Sequence, residues 1–535
     1  MRRPWLAVLI LTMYLPFAAP AGGQLATSRD TVTPRLVVFL TIDAMRADYL
    51  ERFDPQLTGG LAMLYHGGAV FTNGHQDHAI TETAPGHAST MSGRFPVHTG
   101  ISMNKFGVND TTVFLVDAGD TAASPFRFKG TTLTDWLAAK DSRTKVLSVS
   151  RKDRGAILPI GQSKRDVYWF AHNGLFTTST YYADTLPTWV QKFNARRPYL
   201  KYAGKTWNPL LRESEYPEPD SVPLEDAGGE FTFPHILSAD TVYLPQLLPG
   251  FPWMDDLTLD LAWSGMRALN LGGGPETDIL AISLSTTDAI GHRYGPDSRE
   301  MHDQILRLDR ALGVFFDSLF KVRARNEVVI ALTADHGLTP FPEVHAHDPN
   351  ARARRVDWYP VVRAFRASLQ ARGAQPDALA VDDGVLTLDR QELKRARINA
   401  DSLVTAFRKA VLEVPGVIRA DRIKDLMRQD TTRDVIARRW LHMFDDKSGA
   451  ELVITAEPYD YVRNNTQAQH GVAYDTDTHV PIIFYGAQFR RGKYPEFTRV
   501  VDMAPTLAAV VHVRPLEKLD GHVLTSAILD FRADK

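Results

Sequence analysis

Four stretches of this chain are continuous apolar runs: "RLVVFLTIDAM" (35–45), "TDILAISLSTTD" (277–288), "EVVIALTADHG" (327–337) and "VPIIFYG" (480–486). An apolar run without alternation suits a strand buried on both faces, the usual state of parallel strands covered by helices. Amphipathic helical patterns lie between the runs, at 131–142, 256–270, 299–323 and 500–511. Repeated strand–helix–strand patterning predicts an α/β fold, a doubly wound, mostly parallel sheet with helices on both faces. Two stretches break the rhythm. Residues 197–255 are rich in Pro, Tyr and Trp and predict an irregular insertion; residues 345–450 carry dense charge and short helical patterns and predict a second. No internal repeat or low-complexity tract is present, so one catalytic domain over 22–535 with two insertions is expected.

The first 21 residues read as a signal peptide: Arg2 and Arg3, the apolar "PWLAVLILTMYLPFAAP", then the small-residue site Ala19-Pro20-Ala21. Pro16 breaks the run, which is too short for a comfortable membrane span. A periplasmic or secreted protein without membrane attachment after cleavage is expected. Removing Arg2 and Arg3 takes the net charge from −2 to −2 − 2 = −4, and no basic excess points to nucleic acid as a specific partner. The chain has 0 cysteines, which excludes disulfides and thiolate chemistry and leaves His, Asp and Glu to hold any metal.

Open α/β sheets bind ligands beyond the carboxyl ends of their strands. Those ends carry Asp43, then Asp288 followed by His292, then Asp335 beside His336. Singly, each has a plain explanation: Asp43 as a turn former, Asp288 and His292 as a helical surface pair, His336 as a residue beside a turn glycine. Together, on one sheet edge, they would converge, and imidazole with carboxylate suits zinc. A further histidine would divide six ligands between two ions, the composition of a two-metal phosphoryl-transfer site. His470 and His479 compete for that place; His470 is preferred because Gly471 follows it in a flexible segment before the last apolar run.

"ITETAPGHASTMSGRFPVHTGI" (80–101) sets Thr81 and Thr83 where a helix begins and fills its first turns with small residues. A threonine there could be a nucleophile with helix N–H groups free for phosphate oxygens. "SRKDRGAILPIG" (150–161) follows the strand-like "KVLSVS", and Lys152 and Arg154 would point the same way from an extended segment. They are either solvated charges or a point charge and a donor fork for a phosphate. Asn104 could donate a hydrogen bond to the same group.

In their order, "TIDAMRADYL", "TETAPGHASTMSGRFPVHTGI", "DAIGHRYGP", "TADHG" and "QHGVAYDTDTHVP" resemble the alkaline phosphatase superfamily. The pattern is most similar to the phosphate-irrepressible, PafA-type alkaline phosphatases, related to the nucleotide pyrophosphatase/phosphodiesterases. The resemblance implies two zinc ions, one held by Asp288, His292 and His470 and the other by Asp43, Asp335 and His336. It makes Thr83 the nucleophile and Thr81 a positioning residue. "KDRGAILP", Asn104 and "KTWNPLL" (205–211) match the monoesterase branch. The expectation is an exported zinc-dependent phosphatase that cleaves small phosphate monoesters through a phosphothreonine; the alternative is a diesterase or nucleotide pyrophosphatase using the same metals. Sulfatases of the superfamily carry a Cys or Ser in a C/S-x-P-x-R segment, where this chain reads T-A-P-G-H. Of the other histidines, His75 and His78 are expected to be solvated, His87 to pack, His98 to shape a turn, and His345 and His347 to face water. Asn109 and Asn464 begin sequons for glycosylation.

Overall fold

The computed structural model describes residue 1 and residues 32–117, 121–345, 354–462 and 467–529. The proposed signal peptide, His347 and Asn464 lie outside the described residues, and so does the His345 side chain. Among the described residues no helix is long and apolar enough to cross a membrane.

The core is a nine-stranded sheet: β1 (Leu36–Ile42), β2 (Ala69–His75), β3 (Val146–Ser150), β4 (Asp166–Phe170), β5 (Phe176–Thr177), β6 (Asp278–Leu284), β7 (Val328–Thr333), β8 (Ile482–Tyr485) and β9 (Gly492–Arg499). Their spatial order is β9-β2-β8-β7-β1-β6-β3-β4-β5. Every residue of β1, β3, β6 and β7 is buried, as their uninterrupted apolar sequences require. The pairings β1–β6, β1–β7, β6–β3 and β3–β4 are parallel. Thr41 pairs with both Ser283 and Thr333, and Ser283 pairs with Ser150, so four neighbouring strands end level. The residues that follow them are therefore delivered to one edge. Helices flank the sheet; Trp253–Leu269 packs on β3 and β6, and the long Arg299–Val322 helix packs against Gly60–Gly67.

The last apolar run departs from expectation. β8 is buried as predicted, but it runs antiparallel to both β7 and β2. A four-residue buried strand has the same composition in either direction, so periodicity cannot fix its sense.

The 197–255 segment holds short helical turns and a two-residue pair, Thr206–Trp207 with His235–Ile236, until helix Trp253–Leu269 begins at its end. Buried polar contacts seat it on the long helix. Trp207 Nε1 donates to Asp303 Oδ2 at 2.6 Å, and His235 Nε2 lies 2.7 Å from Glu300 Oε1. The second insertion contains more than short helices: strands 379–382, 385–388, 450–456 and 417–422 form an antiparallel sheet in that order. Helices Tyr359–Ala371 and Ala400–Leu412 close over it around a separate apolar cluster that includes Trp358, Leu386 and Phe407. The strands are only four to seven residues long and stand between charged helical segments, which hid them among helical patterns.

Candidate active site

Asp43 directly follows β1, and Asp335 and His336 follow β7 by one residue. Asp288 and His292 occupy one face of helix Thr286–Tyr294, just past the end of β6. Asp288 is turned inward and is only 4% exposed, which corrects the surface-pair alternative. His470 arrives from the loop before β8. Its Nε2 is 3.6 Å from Asp288 Oδ1, and its ring stacks on His336 at 3.7 Å. His479 lies elsewhere, stacked on His75 with Nε2 3.0 Å from the Thr72 carbonyl.

The three histidines share one arrangement. Nδ1 of His292, His336 and His470 bonds the backbone carbonyls of Ala468, Gly337 and Thr81, at 2.5, 2.8 and 2.8 Å. That orients each ring with Nε2 turned inward. Each Nε2 faces carboxylate: His292 lies 3.3 Å from Asp288, and His336 lies 3.5 Å from Asp43 and 3.6 Å from Asp335. Two sets of atoms lie within 4.8 Å of one another and could hold a cation: Asp43, Asp335 and His336, and Asp288, His336 and His470. His336 belongs to both, and His292 extends the second through Asp288.

Electrostatics tests whether metal fits here. Asp43 Oδ1 and His336 Nε2 are buried without a hydrogen-bond partner, and Asp288 Oδ1 and Asp335 Oδ2 have only histidine nitrogens nearby, the closest at 3.3 and 3.1 Å. Burial, reinforced by Asp288 and Asp335, pushes the Asp43 pKa up. Burial works the same way on Asp288, but Lys152 and His292 overcome it and hold that carboxyl well below its ordinary range. Burial and the two neighbouring histidines push His470 well down, leaving it neutral and able to ligate. Three buried carboxylates packed together want more positive charge than one lysine supplies. Two divalent cations fit that deficit.

Thr83 opens helix Thr83–Thr90, all of which is buried. Gly86 lets this helix approach the ligand loop: a Cβ there would lie 2.2 Å from the Asp335 carbonyl oxygen. His87, buried as expected, ties the two together, its Nδ1 2.9 Å from the Thr83 carbonyl and 3.1 Å from Asp335 Oδ2. The helix start does not offer the run of free N–H groups expected. The Ala84 N–H donates to Asn104 Oδ1 at 2.8 Å, and Pro85 has none. Asn104 is left with its Nδ2 donors for a ligand. Thr81 holds the His470 loop: its hydroxyl donates to the Val472 carbonyl at 3.0 Å and to Asp477 Oδ2 at 3.2 Å.

Lys152 is only 7% exposed. Its Nζ lies 2.6 Å from Asp43 Oδ2, 2.7 Å from Asp288 Oδ2 and 3.3 Å from Thr83 Oγ1. The extended segment expected for Lys152 and Arg154 ends at Lys152, which caps helix Asp153–Ile157. Arg154 therefore leaves from the first helical turn, with its Nε buried and without a hydrogen bond. Asp153, accepting from the Arg154 N–H at 2.6 Å, is the helix-start signal that sequence reading passed over.

Sequence reading also missed Glu82, Asp383 and Asp477. Asp477 gathers the His470 loop, accepting from the Gly471 and Val472 N–H groups at 2.7 and 3.0 Å. Glu82 caps nothing with its side chain, lines the cleft beside Asn104, and is pushed up to about 7 by burial and by Asp383. An acid beside a candidate nucleophile was visible in "TETAPGH"; the reach of Asp383 from the insertion was not.

The remaining histidines fall away from the cluster. His75 and His78 are 5% and 0% exposed, contrary to the solvated expectation, because the strand-end loop folds under Arg439 and His442. His98 sits in a one-turn helix against Asp520. Asn109 is exposed at a strand start.

A mostly parallel α/β sheet whose carboxyl edge gathers three acids, three Nδ1-anchored histidines and a buried threonine is the architecture of a phosphoryl-transfer hydrolase. The family model for type I phosphodiesterase / nucleotide pyrophosphatase matches residues 37–472, and the chain belongs to that family, within the alkaline phosphatase superfamily. The chain is 30% identical to alkaline phosphatase PhoV of Synechococcus elongatus, over 97% of this chain and 99% of that one. It is 29% identical to alkaline phosphatase PafA of Elizabethkingia meningoseptica, over 95% and 97%. The crystal structure of wild-type alkaline phosphatase PafA superposes with a TM-score of 0.87 at 28% identity, over 93% of this chain and 99% of that one. The protein is an enzyme, a hydrolase of the alkaline phosphatase type.

Proposed function

We propose that the protein is an exported two-zinc alkaline phosphatase that hydrolyses small phosphate monoesters with Thr83 as nucleophile. The observation that carries this reading is the buried cluster of Asp43, Asp288, Asp335 and an unpartnered His336 Nε2, joined to the Thr83 hydroxyl through Lys152. Asp288, His292 and His470 would hold one ion and Asp43, Asp335 and His336 the other; bound zinc supplies the Lewis acidity that lowers the pKa of a hydroxyl and stabilises a departing oxygen.

The chain's own groups do the rest. Thr83 Oγ1 attacks phosphorus, the ester oxygen leaves on the opposite side, and the phosphothreonine is then hydrolysed by water, which frees phosphate and restores the hydroxyl. Lys152 supports monoesters in particular, because its buried ammonium beside Thr83 can meet the extra charge a monoester carries over a diester. Arg154 and the Asn104 Nδ2 add donors for the remaining phosphate oxygens. The leader-like first 21 residues support export.

The test is turnover of an aryl phosphate against its methyl diester by zinc-loaded protein. The monoester should be preferred, and losing both Lys152 and Arg154 should harm the monoester far more than the diester. A diester preference would make the protein a phosphodiesterase instead, and equal losses would remove the specificity role of the two cations.

A further inference from the structure

We propose that Asp477 is a positioning residue that holds the two metal sites in register, and that the hydrogen bonds its carboxylate accepts set the affinity for one of the two ions; this rests on the two-metal reading above. Asp43, Asp335 and His336 follow strand ends, and Asp288 and His292 ride a helix. His470 is carried by a loop instead. Gly471 beside it adopts φ 111, a backbone conformation that glycine takes readily and other residues rarely do. Metal–ligand distances hold to within about 0.2 Å, so something outside that loop must place the imidazole.

Asp477 lies in the one-turn helix Asp475–Thr478 and is fully buried. Its side chain and its backbone serve different ligands. Oδ2 accepts from the Gly471 and Val472 N–H groups and from the Thr81 hydroxyl, and the Thr81 carbonyl in turn lies 2.8 Å from His470 Nδ1. One oxygen thus anchors the backbone that follows His470 and the residue that orients its ring.

The Asp477 carbonyl faces the other way. It accepts from the Gly337 N–H at 2.6 Å, and the Gly337 carbonyl lies 2.8 Å from His336 Nδ1. The Thr339 hydroxyl, two residues on, donates to Asp477 Oδ1 at 2.7 Å. The approach is close: a Cβ on Gly337 would come within 2.3 Å of the Thr476 carbonyl oxygen. Asp477 therefore ties the His336 turn to the His470 turn. Alanine at 477 would remove the acceptor for two N–H groups and two hydroxyls, yet leave the backbone tie to Gly337. The site of Asp288, His292 and His470 should loosen, while that of Asp43, Asp335 and His336 keeps its ligands in place.

The experiment titrates the metal-stripped full chain with zinc against a chelating dye and reads the two affinities separately. Asp477→Ala should weaken one ion by about ten- to a hundredfold and the other by less than about threefold. Asp477→Asn, which keeps an oxygen for both N–H groups, should bind both within about threefold of wild type. Turnover of p-nitrophenyl phosphate by Asp477→Ala, low at limiting zinc, should return when zinc is in excess. Equal weakening of both ions, weakening of neither, or an asparagine variant as weak as the alanine one would overturn the inference. Should Asp477→Ala fail to fold, Thr81→Val removes one hydroxyl from the same carboxylate and should weaken a single ion by about threefold or more; unchanged affinities would overturn the inference as well. A wild-type chain that takes up fewer than two zinc ions would instead sink the two-metal reading beneath it.

Discussion

Lys152 stands in for missing positive charge, and that role should be visible as stability. Its Nζ is within 2.7 Å of two buried carboxylates, and Asp335 is buried beside them. Replacing it with methionine keeps most of the volume and removes the charge. Leaving buried carboxylates unpaired costs about 3–5 kcal/mol. Unfolding entropy scales at about 2 cal/mol/K per residue, so for a chain of this length each kcal/mol moves Tm by about 1 °C. Metal-stripped Lys152→Met should therefore melt about 3–5 °C below metal-stripped wild type. Once zinc is bound, the acids are neutralised without the lysine, and the gap should close to about 1 °C. Scanning calorimetry of both proteins, with chelator and then with zinc, reads the two gaps. An equal gap in both conditions, or none in the stripped protein, would refute the assignment of these acids to metal.

Thr83→Ala should lower monoester turnover by at least about a thousandfold while elemental analysis still finds bound metal; near-normal turnover would remove Thr83 from the chemistry. Gly86→Ala must push the nucleophile helix off the Asp335 carbonyl, so kcat should fall by about tenfold or more, and an unchanged kcat would show that the contact is slack. Asp255, buried and accepting from the Thr286 N–H, is pushed up to about 7 by burial. The folded state then keeps a proton that the unfolded chain gives up near pH 4, so Asp255 should make stability fall as pH rises from about 4 to about 7. Urea unfolding at pH 5 and pH 8 should show a smaller drop in Asp255→Asn than in wild type; identical drops would contradict this.

Sequence alone revealed much of the fold because burial on both faces leaves an unmistakable mark: β1, β6 and β7 each lie within a predicted apolar run, and their last residues lead straight to Asp43, Asp288 and Asp335. It could not reveal the sense of β8, since four apolar residues read alike in both directions. It preferred His470 over His479 only for the glycine after it and for the family resemblance; what seats His470 is the Thr81 carbonyl and Asp477, brought in from distant parts of the chain or acting through backbone N–H groups. Lys152 was found by its neighbours in sequence, but its burial between two carboxylates depends on β3 ending level with β6. Asp383 lies three hundred residues from Glu82 and could not be placed beside it without coordinates.

The reversed strand has a consequence for biosynthesis. β8 sits between β7 and β2, so β2 and β9 join the central strands only through it. His470 is carried on the loop just ahead of that strand. A ribosome must therefore have made most of the chain before the sheet can be joined across its middle and the last imidazole delivered. Chains cut short before that point would lack His470 and should be inert, so the activity switches on with completion of the polypeptide rather than growing along it.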